Sequence, residues 1–405
     1  MKKLSVRDCD VRGKRVLVRV DFNVPLDSDK NITDDTRIVS ALPTIKSVLD
    51  RGGKLILMSH LGRPRGKRNE DLSLTPVAYR LGDLLDNPLK FATDCIGKEV
   101  RSKVNSMKDG EIILLENLRF HPGEEANDSD FSRELASLGD IYVNDAFGTA
   151  HRAHASTVGV TEHFDIRAAG ILMEEELSAL VGILESPERP FVAVLGGAKI
   201  EGKINLIRTL LSKVDVLLVG GGMMFTFFKA SGLEIGRSIV DESYLDMCKE
   251  LLGQIRGGPS KLLLPVDAIV AKEIEDGAPK REVSSADIPE DWIGVDIGPK
   301  TVSLFKEEIG KAKTIFWNGP MGVFEKPGFA DGTKAVAQSI ANTTERGTAT
   351  IVGGGDSVAA IQLMGIAEKF THVSTGGGAS LELIEGKTLP GVEALCDVAE
   401  ASCDA

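Results

Sequence analysis

The chain has 405 residues, of which 42% are hydrophobic and 27% charged, and a formal net charge of −12. That length exceeds what one hydrophobic core organises, so two domains are expected. The acidic balance argues against nucleic acid or an anionic membrane as the main partner, which makes local clusters of basic residues the more informative.

In chain order, Arg15–Val20 reads as a strand by alternation and β-branched content, and it ends at Asp21, Phe22, Asn23. Thr36–Asp50 reads as a helix. Lys54–Met58 is a second strand, ending at Ser59, His60, Leu61, Gly62, Arg63, Pro64. A helix over Thr75–Leu85 follows. Glu111–Leu115 is a third strand, ending at Glu116, Asn117, Leu118, Arg119, Phe120, His121, and Asp140–Val143 a fourth, ending at Asn144, Asp145, Ala146, Phe147. Strands alternating with helices imply right-handed crossovers and a parallel sheet. In such sheets the ligand crevice lies beyond the C-terminal strand ends. Arg37, His60, Arg63, Arg119, His151 and Arg152 are therefore expected to converge. Five of the six histidines fall in this half. Arg and His with few carboxylates nearby suit a small polyanion, since Arg offers a planar fork to phosphate or carboxylate. Taken singly, each of these residues also reads as a turn or a solvated surface group; Arg37 could pair with Asp34 and Asp35. His151 and His154 have metal-ligand spacing but no third ligand nearby in sequence.

The stretch Ile171–Lys203 divides the chain. Met173, Leu177, Leu180, Val181 and Leu184 recur at helical spacing, SPERP breaks the helix, and FVAVL opens a buried strand. Beyond it, strands lead into glycine or short polar turns. Phe191–Leu195 runs into Gly196-Gly197-Ala198-Lys199, and Asp215–Val219 into Gly220 to Gly222. Lys261–Leu264 runs into Pro265, Val266, Asp267, and Lys313–Trp317 into Asn318, Gly319, Pro320. Ala349–Val352 runs into Gly353 to Gly355, Asp356 and Ser357, and His372–Ser374 into Thr375 and Gly376 to Gly378. Glycine there lets backbone amides approach a phosphate, and a following helix N-terminus, read here over Ser357–Glu368, adds a favourable field. Three triple-glycine runs with Lys199, Lys203 and Asp356 beside them point to a nucleotide. Asp356 is the metal candidate, with an N-cap role as its structural alternative. Neither GxGxxG nor GxxxxGK[ST] occurs in its usual context, which speaks against a nicotinamide oxidoreductase and against a P-loop.

The cysteines, Cys9, Cys95, Cys248, Cys396 and Cys403, are scattered with no CxxC; this fits a reducing compartment and offers no zinc site. MKKLSVRDCDV carries no apolar signal core. The longest apolar run, Val216–Phe228, is interrupted by three glycines and falls short of the roughly 20 residues of a membrane span. A cytoplasmic protein without membrane or nucleic-acid partners is expected.

The motifs RVDFNVPL (19–26), SHLGRP (59–64), LLENLRFHPGEE (114–125), NDAFGTAHRAHAST (144–157), LGGAKI (195–200), DIGPKT (296–301), WNGPMGVFE (317–325), GGGDS (353–357) and STGGGASLELIEGK (374–387) occur together in this sequence. With them the chain resembles the phosphoglycerate kinases over nearly its full length. The resemblance implies an α/β fold of two doubly wound, Rossmann-like parallel-sheet domains joined by a hinge helix. It places a phosphoglycerate-binding domain at 1–170, the interdomain helix at 171–186 and a nucleotide-binding domain at 187–389, with a tail at 390–405 packing back on the first. It implies Mg²⁺-dependent phosphoryl transfer between ATP and 3-phosphoglycerate, giving ADP and 1,3-bisphosphoglycerate, by direct in-line transfer in a monomer whose domains close. On that match Asp21, Asn23, Arg37, His60, Arg63, Arg119 and Arg152 hold phosphoglycerate. Lys203, Gly294, Glu325, Gly354, Gly355, Asp356 and Ser357 hold the nucleotide, with Mg²⁺ at Asp356. Arg37, Lys199 and the amides of Gly376 and Gly377 stabilise the phosphoryl in flight. One position departs from the family: Gly202 stands before Lys203, where Asp is usual. A non-catalytic nucleotide-binding scaffold is the remaining alternative. It predicts loss of charged residues such as Arg37, Lys199, Lys203, Glu325 and Asp356, all of which are present.

Overall fold

The computed structural model describes residues 2–85, 88–255 and 258–398. The chain divides into two compact units, Met1–Ser178 with Thr388–Ala405, and Ala179–Lys387.

The first unit is built on six parallel strands. These are β1 (Arg15–Arg19), β2 (Lys54–Met58), β3 (Leu89–Phe91), β4 (Ile112–Leu114), β5 (Ile141–Asn144) and β6 (Arg167–Ala169), in spatial order β3-β4-β2-β1-β5-β6. Their residues are almost continuously apolar because both faces are covered. Val16, Val18, Leu55 and Leu57 join Ile38, Ala41, Ile45 and Val48 of the helix Thr36–Leu49 in one core cluster. From β1 the chain builds outward on one side through β2, then returns to place β5 on the other. The ends of β1 and β5 therefore flank a topological switch point, where such sheets open a crevice. Asp21 follows β1 and Asp145 follows β5 at this point.

The second unit repeats the scheme. β7 (Phe191–Leu195), β8 (Val216–Val219), β9 (Lys261–Leu263), β13 (Thr314–Asn318), β14 (Ala349–Gly353) and β15 (His372–Val373) form a parallel sheet in the order β15-β14-β13-β7-β8-β9. Here the switch point lies between β7 and β13, which lead into Gly196 and Gly319. The two doubly wound parallel sheets expected from the strand and helix alternation are thus present. A three-stranded antiparallel sheet is added to this unit: β10 (Asp267–Ala271), β11 (Lys280–Ser284) and β12 (Ile293–Ile297), in the order β11-β10-β12.

Some elements differ from the sequence reading. Asp267, read as a turn, begins β10. The helix expected over Ser357–Glu368 runs instead over Gly355–Leu363, because Gly354, at φ +88°, is its N-cap. β3, β6 and the three strands β10, β11 and β12 were not read as strands. LKF and RAA are three residues each, and KREVS is polar and largely exposed, so none carries a strong period-two signal.

The helix Ile171–Glu185 spans the division between the units, which falls after Ser178. Its start is tied to the first unit: the Ile171 amide donates to Thr44 Oγ1 at 2.8 Å and the Met173 amide to Asp145 Oδ1 at 3.2 Å. Its end is tied to the second unit, where Lys213 Nζ donates to the Leu184 carbonyl at 3.4 Å. The last segment belongs to the first unit. The Leu4 amide donates to the Cys396 carbonyl (2.8 Å), the Cys396 amide to the Arg167 carbonyl (2.9 Å), and Lys3 pairs with Asp397 (3.0 Å). Of the expected tail, residues 399–405 lie outside those described. No helix among the described residues is long and apolar enough to cross a membrane.

Candidate active site

In the first unit the C-terminal strand ends gather basic side chains around a single aspartate. Arg37 stands in the first turn of the helix Thr36–Leu49 and its Nη1 donates to Asp21 Oδ2 at 2.5 Å. The alternative pairing with neighbouring aspartates is not what forms: Asp35 pairs with Arg80 at 2.6 Å, and Asp34 accepts from the Thr36 amide at 2.9 Å. His60, beyond β2, is buried with its Nδ1 3.9 Å from Asp21 Oδ1. Asn23 and Arg119 are joined through Gly62, whose amide donates to Asn23 Oδ1 (2.8 Å) and whose carbonyl accepts from Arg119 Nη1 (2.8 Å). The adjacent Arg63 is exposed and has no partner among the described residues. Arg152 is exposed, and its Nε contacts His151 Nε2 at 3.1 Å.

The electrostatics favour an anion. Burial lowers the pKa of Arg119, with the charges of Arg19 and Arg152 adding to the effect and Glu125 opposing it. Its buried Nε makes no hydrogen bond but lies 3.3 Å from Glu125 Oε1. Burial first, then Arg19, Arg119 and Arg37, hold His60 well below its ordinary pKa, so its ring is neutral. His154 is pushed down to about 4 by burial and then by Arg119, Arg19 and Arg152. The arginines that lower the proton affinity of Arg119, His60 and His154 gain from a bound polyanion, which relieves their repulsion.

The second unit supplies a glycine-lined cleft at its own switch point. Its walls include Gly197, Gly221, Gly222, Phe225, Ile239, Ile274, Gly294, Pro320 and Met321, and its polar edge carries Asp296, Glu325 and Asp356. Glycine is required at two of these positions by close approach. A Cβ on Gly294 would meet Phe225 Cζ at 1.9 Å, and one on Gly221, at φ +64°, would meet the Gly197 amide nitrogen at 2.5 Å. A flat apolar wall with polar groups at one end suits a planar ring carrying a polar tail.

At the tail end lies the helix Gly355–Leu363. Its first amides have no intrahelical partner, so with the helix field they favour a phosphate. Ser357 is buried, and its Oγ accepts from the Gly319 amide at 2.5 Å, fastening this helix to the turn after β13. Lys203 is the N-cap residue of the helix Ile204–Leu211, and its Nζ donates to the Gly196 carbonyl at 2.6 Å. Burial lowers its pKa to about 8, with Asp356 opposing. Gly202 sits at φ +75° with open space around its Cα, so the departure at this position coincides with a turn conformation that glycine adopts without strain. Lys199 and Glu325 are exposed. Gly376 and Gly377 precede the short helix Gly378–Ile384; the Gly376 amide already donates to Ser374 Oγ at 3.2 Å.

Asp356 is not the N-cap of its helix: Gly354 holds that position and Asp356 lies in the first turn. Its carboxylate is exposed, lines the cleft and has no hydrogen-bonded or ion-paired partner among the described residues. A free carboxylate beside unpaired amides is the donor set a Mg²⁺–phosphate pair needs, since Mg²⁺ takes one or two carboxylates and completes its shell from phosphate and water. The residues present therefore fit the ion. Asp94, Cys95 and His121 also lie close enough to share a cation. His121 Nε2 and Asp94 Oδ1, however, are already paired at 2.6 Å, and burial pushes the Cys95 thiol well above its usual range.

A polyanion site and a nucleotide-type cleft, each at a sheet switch point, are thus held on one chain. The family model described as phosphoglycerate kinase matches residues 6–387. The chain belongs to the phosphoglycerate kinase family. It is 59% identical over 397 residues to the phosphoglycerate kinase of Pelodictyon phaeoclathratiforme and 60% identical over 395 residues to that of Chlorobium luteolum, covering 98% of this chain and 100% of each relative. Among solved structures it is similar to the phosphoglycerate kinase of Coxiella burnetii (TM-score 0.87, 40% identity) and to that of Pyrococcus horikoshii (TM-score 0.84, 33% identity). Each match covers 97% of this chain and 98% of the other. Within this phosphoglycerate kinase fold, some residues at the sites escaped the sequence reading. Arg19, Ser156 and Glu124 lie fully buried behind His60, and Phe225 and Asp296 line the cleft. A second arginine closing the RVLVR strand, whose last four residues are all buried, was the available signal for Arg19. Glu124, Ser156 and Asp296 lie inside quoted motifs, but nothing local marks their roles or that of Phe225.

Proposed function

We propose that this chain transfers a phosphoryl group reversibly between ATP and the carboxylate of 3-phosphoglycerate, with Mg²⁺, as a monomeric cytoplasmic enzyme of glycolysis. The observation that carries the reading is the pair of half-sites: arginines gathered around the buried, neutral His60 in one unit, and a glycine-lined cleft with an unpaired Asp356 in the other. Four buried free cysteines support a reducing compartment.

On the acceptor side, His60, Arg63, Arg119 and Arg152 hold the phosphate and Arg37 the reacting end. Asp21 and Asn23 offer acceptors, and the only donor on 3-phosphoglycerate is its hydroxyl, so these two residues suit that group. On the donor side, Gly294 leaves room for the base beside Phe225, and Glu325 lies at the cleft edge for the sugar. Lys203, Ser357 and the amides of Gly354, Gly355 and Asp356 surround the phosphates. Bound at Asp356 and the phosphates, Mg²⁺ supplies charge neutralisation there.

In the reaction a carboxylate oxygen forms a bond to the γ-phosphorus as the bond from that phosphorus to the ADP oxygen breaks. The acceptor is already ionised at neutral pH, so no general base is needed. Phosphoryl transfer of this kind rests on positioning and charge stabilisation. Arg37, Lys199 and the Gly377 amide stabilise the equatorial oxygens. Gly376 joins them once its amide leaves Ser374. Bringing the two half-sites together excludes water, which would otherwise hydrolyse the acyl phosphate. The test is a coupled assay with ATP, Mg²⁺ and 3-phosphoglycerate; folded protein without turnover overturns the reading.

A further inference from the structure

Behind the acceptor half-site runs a buried chain of polar groups that no substrate reaches. Arg19, the last residue of β1, is 0% exposed. Its Nε donates to Ser156 Oγ at 2.8 Å, its Nη1 donates to the Val20 carbonyl, and its Nη2 lies 3.2 Å from His60 Nδ1. Ser156 Oγ in turn donates to Glu124 Oε1 at 2.6 Å, and the Ser156 amide donates to Glu124 Oε2 at 3.0 Å. Glu124 is itself fully buried. The guanidinium is thus anchored on one side to the backbone and on the other, through a hydroxyl, to a buried carboxyl group.

The chemistry of the contact at His60 has one solution. A guanidinium carries only donors and no lone pair. His60 Nδ1 must therefore accept from Arg19, and in a neutral ring the proton then sits on Nε2. Asp21 does not reverse this choice, because its nearest oxygen is 3.9 Å from Nδ1, too far for a hydrogen bond, and its other oxygen is taken by Arg37. Nε2 has no partner among the described residues.

We propose that Arg19, anchored through Ser156 to Glu124, is a positioning residue that fixes His60 in its Nε2–H tautomer and so presents phosphoglycerate with a neutral ring donor. The proposal rests on the reading of this half-site as the phosphoglycerate site. Arg19 does not touch substrate; it decides which ring nitrogen offers the hydrogen. A neutral donor is useful here because the groups facing His60 are already cationic or titratable. Arg19 comes from β1, Arg37 from the helix Thr36–Leu49, Arg119 from the turn after β4, and His154 from the loop after β5; Asp21 is the acid nearest the ring, with Glu124 4.0 Å from His154 and Glu125 3.3 Å from Arg119. Burial together with Arg19, Arg119 and Arg37 opposes a further charge on the ring.

The experiment is a long-range proton–nitrogen correlation spectrum of the free protein labelled with ¹⁵N-histidine, with the His60 signals assigned by their absence in His60→Gln. The expected result is a neutral Nε2–H ring across pH 5.5 to 8. That spectrum is compared with the charge-balanced variant Arg19→Met/Glu124→Gln. There His60 is expected to exchange between tautomers or take up a proton within the same range. The KM for 3-phosphoglycerate should rise about tenfold, as for loss of one well-placed hydrogen bond, and become pH-dependent, while the nucleotide KM stays unchanged. A wild-type ring protonated at Nδ1 overturns the proposal. So does a variant with raised KM but an unaltered His60 spectrum, since Arg19 is then only a structural support. If the double variant does not fold, Arg19→Lys, which keeps the charge but loses the reach of Nη2 to Nδ1, is read in the same way. Absence of turnover with 3-phosphoglycerate would instead sink the functional reading and leave the spectrum as stated.

Discussion

Arg37 carries the sharpest expectation for a single residue. Its guanidinium is about a third exposed and rests on Asp21. A group that meets the phosphoryl oxygens only as charge spreads onto them contributes more to the transition state than to the ground state. Arg37→Ala should lower kcat on the order of 10²-fold with nucleotide Kd and melting temperature nearly unchanged. Arg37→Lys should recover part of this, because an ammonium lacks the bidentate fork. Steady-state kinetics with a thermal melt as control decide, and kcat within about threefold of wild type, a loss below about 1 kcal/mol, removes the assignment. Lys203 carries a pH signature. Its pKa is lowered to about 8 by burial, so the free protein sheds this proton above pH 8, whereas the unfolded chain keeps it to above pH 10. Stability should therefore rise between those limits as the charge penalty is lifted. Nucleotide affinity should fall over the same rise in pH, because the cation facing the phosphates is disappearing. Calorimetric titration of ADP from pH 7 to 9.5 should show that fall in wild type and not in Lys203→Met. At this scale the sequence was a good guide where a residue ends a strand inside a motif. It was silent on Arg19, Ser156 and Glu124, because a partnership across 137 and 32 residues leaves no local pattern.

Helix starts carry the expectations at the next scale. In the helix Gly355–Leu363, Asp356 follows the Gly354 cap with its carboxylate unpaired. Asp356→Asn should weaken Mg²⁺–ADP binding by tenfold or more, the effect of removing one ionic ligand, without touching phosphoglycerate affinity. Loss of melting temperature with unaltered kinetics would make it a purely helical residue. At the start of Ile171–Glu185, Asp145 is fully buried, with Oδ2 unpartnered and its pKa raised to about 7 by burial, against the hydrogen bonds from Thr44 and Met173. The folded protein keeps a proton that the unfolded chain releases near pH 4. Asp145 therefore favours folding most below pH 4, and its contribution is lost as pH rises toward 7. Urea titrations from pH 4.5 to 7.5 should show that decline, and Asp145→Asn should flatten it. An unchanged slope in the variant would place the dependence elsewhere. Element types were legible because β-branched runs bounded by glycine are strong signals. The antiparallel sheet β10–β12 was not. Its outer strand, KREVS, faces solvent and looks like a loop, while Asp267 at the start of β10 reads as a turn residue until Thr301 and the Lys300 amide are seen to satisfy it.

For the whole molecule, two half-sites on two units require a ternary complex. Initial-rate lines should intersect when both substrates are varied, and no phosphoenzyme should accumulate with ATP alone; parallel lines would contradict direct transfer. If the helix Ile171–Glu185 serves as the hinge, small-angle scattering should record a smaller radius of gyration with both substrates than with either one. An unchanged radius in the ternary complex counts against hinge closure.

The stitching of both chain ends into one unit bears on how the protein is made. Residues 179–387 form an unbroken stretch with its own sheet and core, free to fold as it leaves the ribosome. The first unit begins earlier yet waits longer. Lys3 and Leu4 meet Leu395, Cys396 and Asp397, and Asn144, at the end of β5, donates to the Gly391 carbonyl. The unit that contains Lys3 and Leu4 is thus completed only by residues beyond 387. A nascent chain stalled before residue 388 would hold a complete nucleotide cleft and an acceptor site still lacking its final supports.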